Sequence, residues 1–432
     1  MSISGTRNAL LGRSPGQGLP RIVSSRGHEI VGQSGEQYLD AISGAYAAIL
    51  GYSLCSVTTA MYAAAARLPY VHNARFDSCE SVALANLLSE LGGSAGYQVY
   101  LSVSGADGVE AALRIAAAYG EVRGRSYQRQ WAALPNSYHG SSGFALSTTG
   151  HAAARGRYEL ELKRITRLDL LRWVRTPRGF DADWTTDRAE IERAIGKDIG
   201  VVILEPMLGN AAGCVEMPDS TLAAIAAVCR ERDIVLISDE VSVGMWRTDG
   251  LSLSQSKGVD PDIIVLGKAL TAGLFPLSAV LVSPRIALAL QGKANLLGHT
   301  HAAHPIGCAV ALDVLRHLTL PRFQSDVEGL KDAFATRLAD LLRLERVRAI
   351  RGRGLMYSVC LNTPEDETVS GPIGERLYAA CLSRGLLVMP GEVRGTDGVR
   401  VSDHITLAPA FNMPVRTLNH VVHVLTDALA EL

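Results

Sequence analysis

From about residue 55 onward, short apolar runs of strand length alternate with longer stretches of helical pattern, and this alternation constrains the fold more than any other feature. The clearest runs are QVYLSV (98–103), VVIL (201–204), IVLI (234–237), IIVL (263–266) and SAVLV (278–282). They are rich in β-branched residues and largely apolar on both faces, which is typical of buried parallel strands. We therefore predict an α/β fold with a mostly parallel central sheet covered by helices.

Helical patterns follow these runs at 108–120, 219–233, 304–318 and 326–344. Residues 1–54 instead hold short apolar stretches broken by Gly and Ser, which favour hairpin-like strands. After about residue 320 the pattern becomes helix, strand pair, helix, strand and helix, which is typical of a small α+β lobe. The predicted parts are therefore residues 1–54, residues 55–320 and residues 321–432.

Charge and cysteine content exclude several classes of protein. The 432 residues carry 42 Lys+Arg and 43 Asp+Glu, so nucleic acid and anionic membranes are not expected partners. Seven scattered cysteines without a CxxC pair indicate a reducing compartment rather than a disulfide framework. The first residues lack the apolar core of a signal peptide, and no apolar run reaches about 18 residues. We expect a soluble, cytoplasmic protein.

Three of the predicted strands are followed by charged side chains: Glu205 after VVIL, Asp239 after IVLIS and Lys268 after IIVLG. Ligands of open α/β sheets bind at the carboxyl ends of the strands, so these groups should converge there. A buried lysine is a nucleophile for carbonyls, and pyridoxal 5′-phosphate (PLP) needs such a lysine together with an acid for its pyridine nitrogen. Taken singly, Lys268 could still emerge into solvent and Asp239 could cap a helix.

A phosphate group also needs a seat, and VSGADGVEAALRIA supplies a strand, a tight turn and a helix start. The backbone N–H groups of Gly105 and Ala106 would point out of the open end of that helix, where an anion is favoured. Tyr138, in the polar turn NSYHG, suits stacking on a flat heteroaromatic ring, although an ordinary half-buried tyrosine is the alternative.

Seven segments together point to a known family: VSGADGVEAALRIA, NSYHGSSGFALSTTG, VVILEPMLGNAAG, LISDEVSVGMWRT, IIVLGKALTAGLFPLSAVLVS, GHTHAAHPIGCAVALDVL and RGRGLM. Their order and spacing resemble the class III aminotransferases, which are PLP enzymes of fold type I. The resemblance covers nearly the whole chain. It implies a homodimer with shared active sites, a large PLP-binding domain over 55–320, and a small domain to which 1–54 and 321–432 both contribute.

The resemblance also implies roles for single residues. Lys268 resembles the lysine that forms a Schiff base with PLP, and Asp239 resembles the partner of the pyridine nitrogen. Val241 looks like the residue under the cofactor ring, and Tyr138 like the aromatic over its other face.

For the remaining contacts, Gly105 and Ala106 resemble the pair that cradles the phosphate, and Glu205 matches the acid of the EP motif near the cofactor. Thr300 looks like the threonine that the other subunit offers to the phosphate.

Several positions depart from the family pattern. Ala106 lacks the usual hydroxyl, and Ser242 stands where a Gln usually approaches the cofactor's ring oxygen. Ser141, Asn210 and Ile405 stand at positions that handle substrate carboxylates in the 4-aminobutyrate and ornithine branch. Because an arginine is the natural carboxylate clamp, we do not expect 4-aminobutyrate or ornithine as substrates.

Two further features allow more than one interpretation. Segment 153–184 has eight basic residues between Arg155 and Arg178, and we interpret it as a solvated helix and loop, with a phosphate- or carboxylate-binding insert as the alternative. Arg400 and the arginines of this segment, namely Arg164, Arg167, Arg172, Arg175 and Arg178, are candidate replacement cations. His299, His301 and His304 could suggest a metal site, but their spacing does not put all three on one face, so no metal is expected.

The predicted activity is that of a PLP-dependent aminotransferase acting between an amine or amino acid and a carbonyl acceptor through Lys268. A PLP enzyme of the same fold with another outcome stays open as the alternative, namely an aminomutase, racemase, decarboxylase or carbon–carbon bond-forming enzyme.

Overall fold

A computed structural model describes residues 11, 18–52, 54–93, 96–125, 130–176, 179–293, 296–362, 372–394 and 400–432. The strands in these residues are β1 (Ile22–Arg26), β2 (Glu29–Gly32), β3 (Gln37–Asp40), β4 (Gln98–Ser102), β5 (Gln130–Ala133), β6 (Thr166–Arg167), β7 (Leu171–Thr176), β8 (Gly179–Trp184), β9 (Ile199–Leu204), β10 (Met207–Leu208), β11 (Val215–Glu216), β12 (Val235–Asp239), β13 (Ile263–Leu266), β14 (Ser278–Val282), β15 (Val347–Arg353), β16 (Met356–Leu361), β17 (Leu386–Leu387), β18 (Met389–Arg394) and β19 (Arg400–Leu407).

The helical segments of the same residues are α1 (Ser43–Tyr46), α2 (Cys55–Arg67), α3 (Cys79–Leu91), α4 (Gly105–Val122), α5 (Gly143–Thr148), α6 (Ala152–Arg155), α7 (Arg188–Ile195), α8 (Asp219–Glu231), α9 (Leu253–Ser256), α10 (Pro284–Ala289), α11 (Pro305–Leu318), α12 (Pro321–Asp340), α13 (Ile373–Ser383) and α14 (Val415–Ala430). None of them combines the length and the apolar character needed to cross a membrane.

The central sheet has seven strands in the spatial order β4-β14-β13-β12-β9-β5-β6. The consecutive strands β13, β12, β9, β5 and β6 are parallel to one another, and the first three of them are apolar runs that the sequence predicted. Every residue of β12, β13 and β14 is buried, which explains why these runs lack the polar alternation of half-exposed strands. The mostly parallel central sheet is therefore confirmed.

The prediction of a parallel strand was wrong for SAVLV. This run, β14, is antiparallel to both of its neighbours, β13 and β4. The connection 267–277 remains at the carboxyl end of β13 and holds only one short helical turn, Lys268–Thr271. A parallel return would need a longer crossover, so the chain enters β14 from the end at which it left β13.

Helix α4 covers the middle of this sheet. It begins after Ser104, whose hydroxyl accepts a hydrogen bond from the Asp107 amide and so caps the helix. Its buried side chains include Val109, Ala112 and Ala116, spaced three or four residues apart on one face. They pack in one core cluster with residues of β9, β12, β13 and β14.

Both ends of the described chain contribute smaller sheets. Strands β1, β2 and β3 form an antiparallel meander, as the N-terminal pattern predicted, and β3 pairs in parallel with β17 through Leu39–Leu386. A second sheet has the order β15-β16-β19-β18. The domain limits at residues 54 and 320 stay a prediction.

The interpretation of segment 153–184 as a solvated helix and loop was wrong for most of its length. Only α6 and a short turn are helical, whereas β6 joins the central sheet and β7 pairs with β8 as an antiparallel hairpin. Leu171 is buried and Arg172 exposed on β7, whereas Arg167 on β6 is half-buried, so the basic residues of the segment do not share one solvent-exposed face.

Candidate active site

Three predicted charged residues converge at one edge of the central sheet. Glu205 directly follows β9, Asp239 ends β12 and Lys268 follows β13 by two positions. These three strands are adjacent and parallel, so their carboxyl ends meet at the same edge. Glu205 and Asp239 are buried and Lys268 is half-buried, so the cluster is largely removed from water.

The Lys268 side chain lies between a hydroxyl and an aromatic ring. Its Nζ donates a hydrogen bond to Ser242 Oγ at 2.5 Å and lies 5.0 Å from the ring centroid of Tyr46. Burial lowers the pKa of the Lys268 ammonium, while the carboxylates of Asp239 and Glu205 partly oppose this shift. Lys268 is thus closer to its neutral, nucleophilic form than a lysine in water.

Asp239 is held by a histidine that the sequence analysis did not select. His139 Nδ1 lies 2.8 Å from Asp239 Oδ2, and Asp239 Oδ1 accepts the Val241 amide at 3.1 Å. Both oxygens of Asp239 are therefore oriented by hydrogen bonds. His139 donates this bond from Nδ1, and its Nε2 is buried without a hydrogen-bond partner among the described residues.

Glu205 connects two loops of the site. Its Oε1 accepts the amide of Tyr138 at 2.8 Å, and its Oε2 accepts the amide of Gly209 at 3.2 Å. Burial raises the pKa of Glu205 to about 7, against the opposing effect of His139. Glu205 can therefore hold or release a proton near neutral pH.

Val241 packs against two glycines of the site, Gly105 at the start of α4 and Gly267 after β13. A Cβ atom on Gly105 would lie 2.7 Å from Val241 Cγ1, and one on Gly267 would lie 3.3 Å from the same atom. Gly105 therefore cannot carry a side chain without displacing Val241. The amides of the first helical turn have no carbonyl partner within a helix, so the start of α4 offers donors to an anion beside Val241.

Tyr138 and Thr300 lie in more open positions. The Tyr138 side chain is 43% exposed, while its backbone is tied to Glu205. Thr300 lies on an exposed turn, and its carbonyl oxygen accepts a hydrogen bond from Tyr70 Oη at 3.1 Å. Because the expected role of Thr300 belongs to a partner subunit's site, it stays a prediction.

Tyr46 is a second residue that the sequence analysis missed. It is buried, and its hydroxyl lacks a hydrogen-bond partner among the described residues. Ser43, Ala45 and Tyr46 all have positive φ, a strained conformation for residues with side chains. Asp40 holds this strained turn through the amides of Ile42 and Gly44. A turn of this kind has no periodic sequence pattern. The only signal for it in the sequence is a tyrosine that follows the small residues SGA at 43–45.

The three positions expected to sort substrate carboxylates have different surroundings. Ser141 is exposed. The Asn210 side chain is bound by Thr406 Oγ1 at 2.7 Å and by Pro390 O at 3.2 Å. Ile405 is fully buried in the main core, and the expectation that it stands in place of a substrate-binding arginine stays a prediction. Its side chain faces the core because neighbouring strand residues alternate between the two faces.

The candidate replacement cations are largely engaged elsewhere. Arg172 is paired with Glu190, and Arg167 donates to carbonyl groups at the end of α5. Arg164 is exposed. Arg178 lies outside the described residues, as do the side chains of Arg175 and Arg400.

His299, His301 and His304 lie near one another without forming a ligand cluster. The ring centroids of His301 and His304 are 5.9 Å apart, and Tyr70 packs against both rings. In the described part of the chain, no group of three His, Cys, Asp or Glu side chains could hold a metal ion.

Comparison with known proteins gives consistent matches over most of the chain. The family profile described as "Aminotransferase class-III" matches residues 14–420. The diaminobutyrate–2-oxoglutarate transaminase of Halomonas elongata is 30% identical over 404 residues, covering 87% of this chain and 84% of the relative. The adenosylmethionine-8-amino-7-oxononanoate aminotransferase of Geobacter sulfurreducens is 26% identical and covers 85% of each chain.

Among solved structures, a PMP-bound aminotransferase from Vibrio fluvialis superimposes with a TM-score of 0.85 at 25% identity. The match covers 96% of this chain and 93% of that protein.

Proposed function

Because this chain belongs to the class III aminotransferase family, we propose that it transfers an amino group between an amine or amino acid and a carbonyl acceptor with PLP bound at the Lys268 edge of the sheet. The family consists of PLP-dependent aminotransferases of fold type I, and this chain is one of them. The observation that carries the site assignment is the convergence of Lys268, Asp239 and Glu205 at the ends of three adjacent parallel strands.

The residues present fit the cofactor. The bare backbone at Gly105 and the open start of α4 would receive its phosphate, next to Ala106, which offers only its amide. Val241 would lie under the ring and Tyr138 over it, with Asp239 at the pyridine nitrogen. When bound, PLP supplies an aldehyde for the amine and a protonated ring that withdraws electrons from the substrate carbon.

The protein's own groups would then manage protons around this ring. Lys268 Nζ, with its lowered pKa, would take the proton from the substrate carbon and deliver it to the cofactor. Ser242 Oγ accepts a hydrogen bond from Nζ and so fixes where the free amine lies. His139 keeps Asp239 oriented, and Glu205 holds the backbone of Tyr138.

We further propose a homodimer in which Thr300 reaches the partner subunit's phosphate site. Its exposed position and the strongly exposed apolar side chains of Tyr62 (75%) and Phe76 (66%) support this assembly, since such side chains are typical of interfaces. The pairing of β3 with β17 supports a small domain built from residues 1–54 and 321–432. The seven free cysteines support a cytoplasmic location.

For the substrate, we propose an amine that depends little on a carboxylate clamp. Exposed Ser141 and the engagement of Asn210 with Thr406 and Pro390 support this choice, because neither supplies a cation. Slow turnover of 4-aminobutyrate and ornithine relative to aliphatic or aromatic amines is therefore expected.

The direct experiment mixes the PLP-loaded enzyme with candidate amino donors in the absence of an acceptor. Transamination predicts conversion of the bound cofactor to pyridoxamine 5′-phosphate with one carbonyl product per site, and recovery of the original absorbance when an oxo acid is added. Decarboxylation, racemisation or isomerisation of the donor without that conversion would contradict the proposed reaction.

A further inference from the structure

Arg167, on strand β6, is hydrogen-bonded to the C-terminal end of α5. Its Nη2 donates to Ser147 O at 2.9 Å and Thr149 O at 2.8 Å, while Nη1 donates to Thr148 O at 2.5 Å. These carbonyls form the C-terminal end of α5, where the helix has no internal donors left and carries partial negative charge. A planar guanidinium can reach all three oxygens, whereas a lysine ammonium is a single point charge.

The other end of α5 is held by an acid. Glu110 of α4 accepts the amide of Ala145 at 2.9 Å through Oε1. Opposite charges therefore meet the two ends of a six-residue helix in the sense that favours its dipole. Since a helix this short is unstable alone, its position depends on these two contacts and on packing.

Helix α5 belongs to a loop that carries two residues of the site. We call residues 137–151 the Tyr138 loop. Thr149 Oγ1, one residue beyond α5, accepts the amide of His139 at 2.9 Å and donates to Gly140 O at 3.0 Å. The carbonyl of Ser137 accepts the amides of Gly150 and His151, which closes the loop on itself.

The same loop packs on the phosphate seat. A Cβ atom on Gly140 would lie 2.8 Å from Ala106 Cβ, so the backbone of the loop touches the first turn of α4. A displacement of α5 would therefore move the loop relative to both α4 and Asp239. The described hydrogen bonds of the Arg167 guanidinium are not with any of the reacting groups. Through Thr149 O it nevertheless anchors the segment that presents Tyr138 and His139.

We infer that Arg167 is a positioning residue, which fixes the Tyr138 loop so that His139 meets Asp239 and Tyr138 faces the cofactor site. The inference rests on the proposed function for the roles of Tyr138 and His139. For Arg167 alone, it replaces the expectation of a substrate-binding role, because its described contacts are with backbone carbonyls rather than with the Lys268 cluster.

The first test needs no cofactor. In the PLP-free protein, Arg167→Met should speed hydrogen exchange of peptides that contain the amides of Tyr138, His139 and Gly150 by about tenfold or more, since even one of the three charged hydrogen bonds that it removes accounts for about that factor. Arg172→Met is the matched control, because Arg172 lies in the same basic segment but pairs with Glu190 on the surface. Equal exchange in the two variants would overturn the inference, whether or not the protein binds PLP.

The second test uses the holoenzyme. Arg167→Met should weaken PLP binding by about tenfold and shift the pH midpoint of the bound cofactor's absorbance, with Arg167→Lys between Met and wild type. Arg172→Met should match wild type in both readouts. If Arg167→Met does not fold, Arg167→Lys is compared with Arg172→Met in the same two assays. A variant that loses only thermal stability, with unchanged exchange in the Tyr138 loop, absorbance and PLP affinity, would show that Arg167 is merely structural and would contradict the inference.

Discussion

Burial moves the ionisable groups around Lys268 toward their neutral forms. It lowers the pKa of the Lys268 ammonium and raises that of the Glu205 carboxyl to about 7, since low polarity disfavours either charge. Asp239 accepts hydrogen bonds on both of its oxygens, from His139 and from the Val241 amide. The cluster thus combines an amine that can lose its proton with a carboxyl group held in a fixed orientation.

A histidine outside this cluster makes the fold sensitive to acid. His404 is fully buried, its Nε2 lies 2.8 Å from Asn210 O, and burial lowers its pKa from 6.5 to about 4. Between these pH values the unfolded chain binds a proton that the folded chain does not. Stability from this site is therefore complete above pH 6.5 and is lost as the pH falls toward 4.

We expect His404 to make the free energy of unfolding fall by about 3 kcal/mol between pH 6.5 and 4. Urea unfolding of wild type and His404→Gln across this range measures the effect, because Gln keeps an N–H donor and does not titrate. The control is His423→Gln, at an exposed histidine on α14. A His404→Gln profile as steep as that of wild type would contradict the assignment.

Among the helices and strands of the site, the start of α4 should be especially sensitive to an added side chain. Gly105→Ala should lower stability by about 1–3 kcal/mol and weaken PLP binding, since its Cβ would meet Val241 Cγ1 at 2.7 Å. Gly120→Ala in the same helix is the control, because its Cβ would meet nothing within 4 Å and should stabilise by about 0.5–1 kcal/mol. Thermal unfolding and fluorescence titration with PLP measure both effects, and similar behaviour of the two variants would refute this account.

The strands that could be predicted best are those whose own residues show that the strand is buried. Strands β9, β12 and β13 are mainly apolar, and a charged residue ends each of them or follows within two positions, so both their burial and the convergence of Glu205, Asp239 and Lys268 could be predicted. Strand β6 was missed because it contains only two residues, and β5 because its sequence QWAA has no β-branched residue. The direction of β14 depends on the path of the preceding loop, and the hydrophobic pattern of the sequence does not indicate that path.

Contacts between distant segments could not be predicted in the same way. His139 meets Asp239 across a hundred positions of sequence, and Tyr46 reaches Lys268 from a strained turn. Each of these residues alone has an ordinary local context. Segment 153–184 was misinterpreted for a different reason: charged residues lie within β7 and β8 and obscure their strand pattern.

For the whole molecule, the site lies where the two halves of the chain are tied together. Asn210 lies only a few residues after Glu205 in the chain. Its carbonyl oxygen is hydrogen-bonded to His404 of β19, and its side chain to Thr406 of the same strand. Fully buried Arg247, which follows Asp239 in the chain, donates to the carbonyls of Leu355 and Pro409. Movement of the C-terminal sheet would therefore be transmitted to the loops that hold the site.

The proposed dimer predicts complementation between two defective subunits. Lys268→Ala removes the nucleophile, and Thr300→Ala removes a phosphate contact that belongs to the neighbouring site. Each mixed dimer should contain one site with all wild-type groups, so mixing should restore activity and one tightly bound PLP per mixed dimer. Mixed dimers, isolated with two different affinity tags, that regain neither would contradict the shared site.

The most direct test of the central claim is chemical labelling of the lysine. Borohydride reduction of the PLP-loaded enzyme, followed by peptide mapping, should attach the reduced cofactor to the peptide that contains Lys268. Lys268→Ala should abolish both the label and turnover, whereas Lys331→Ala, at a buried lysine paired with Glu328, should retain the label. Attachment of the label to any lysine other than Lys268 in the wild-type enzyme would contradict the account.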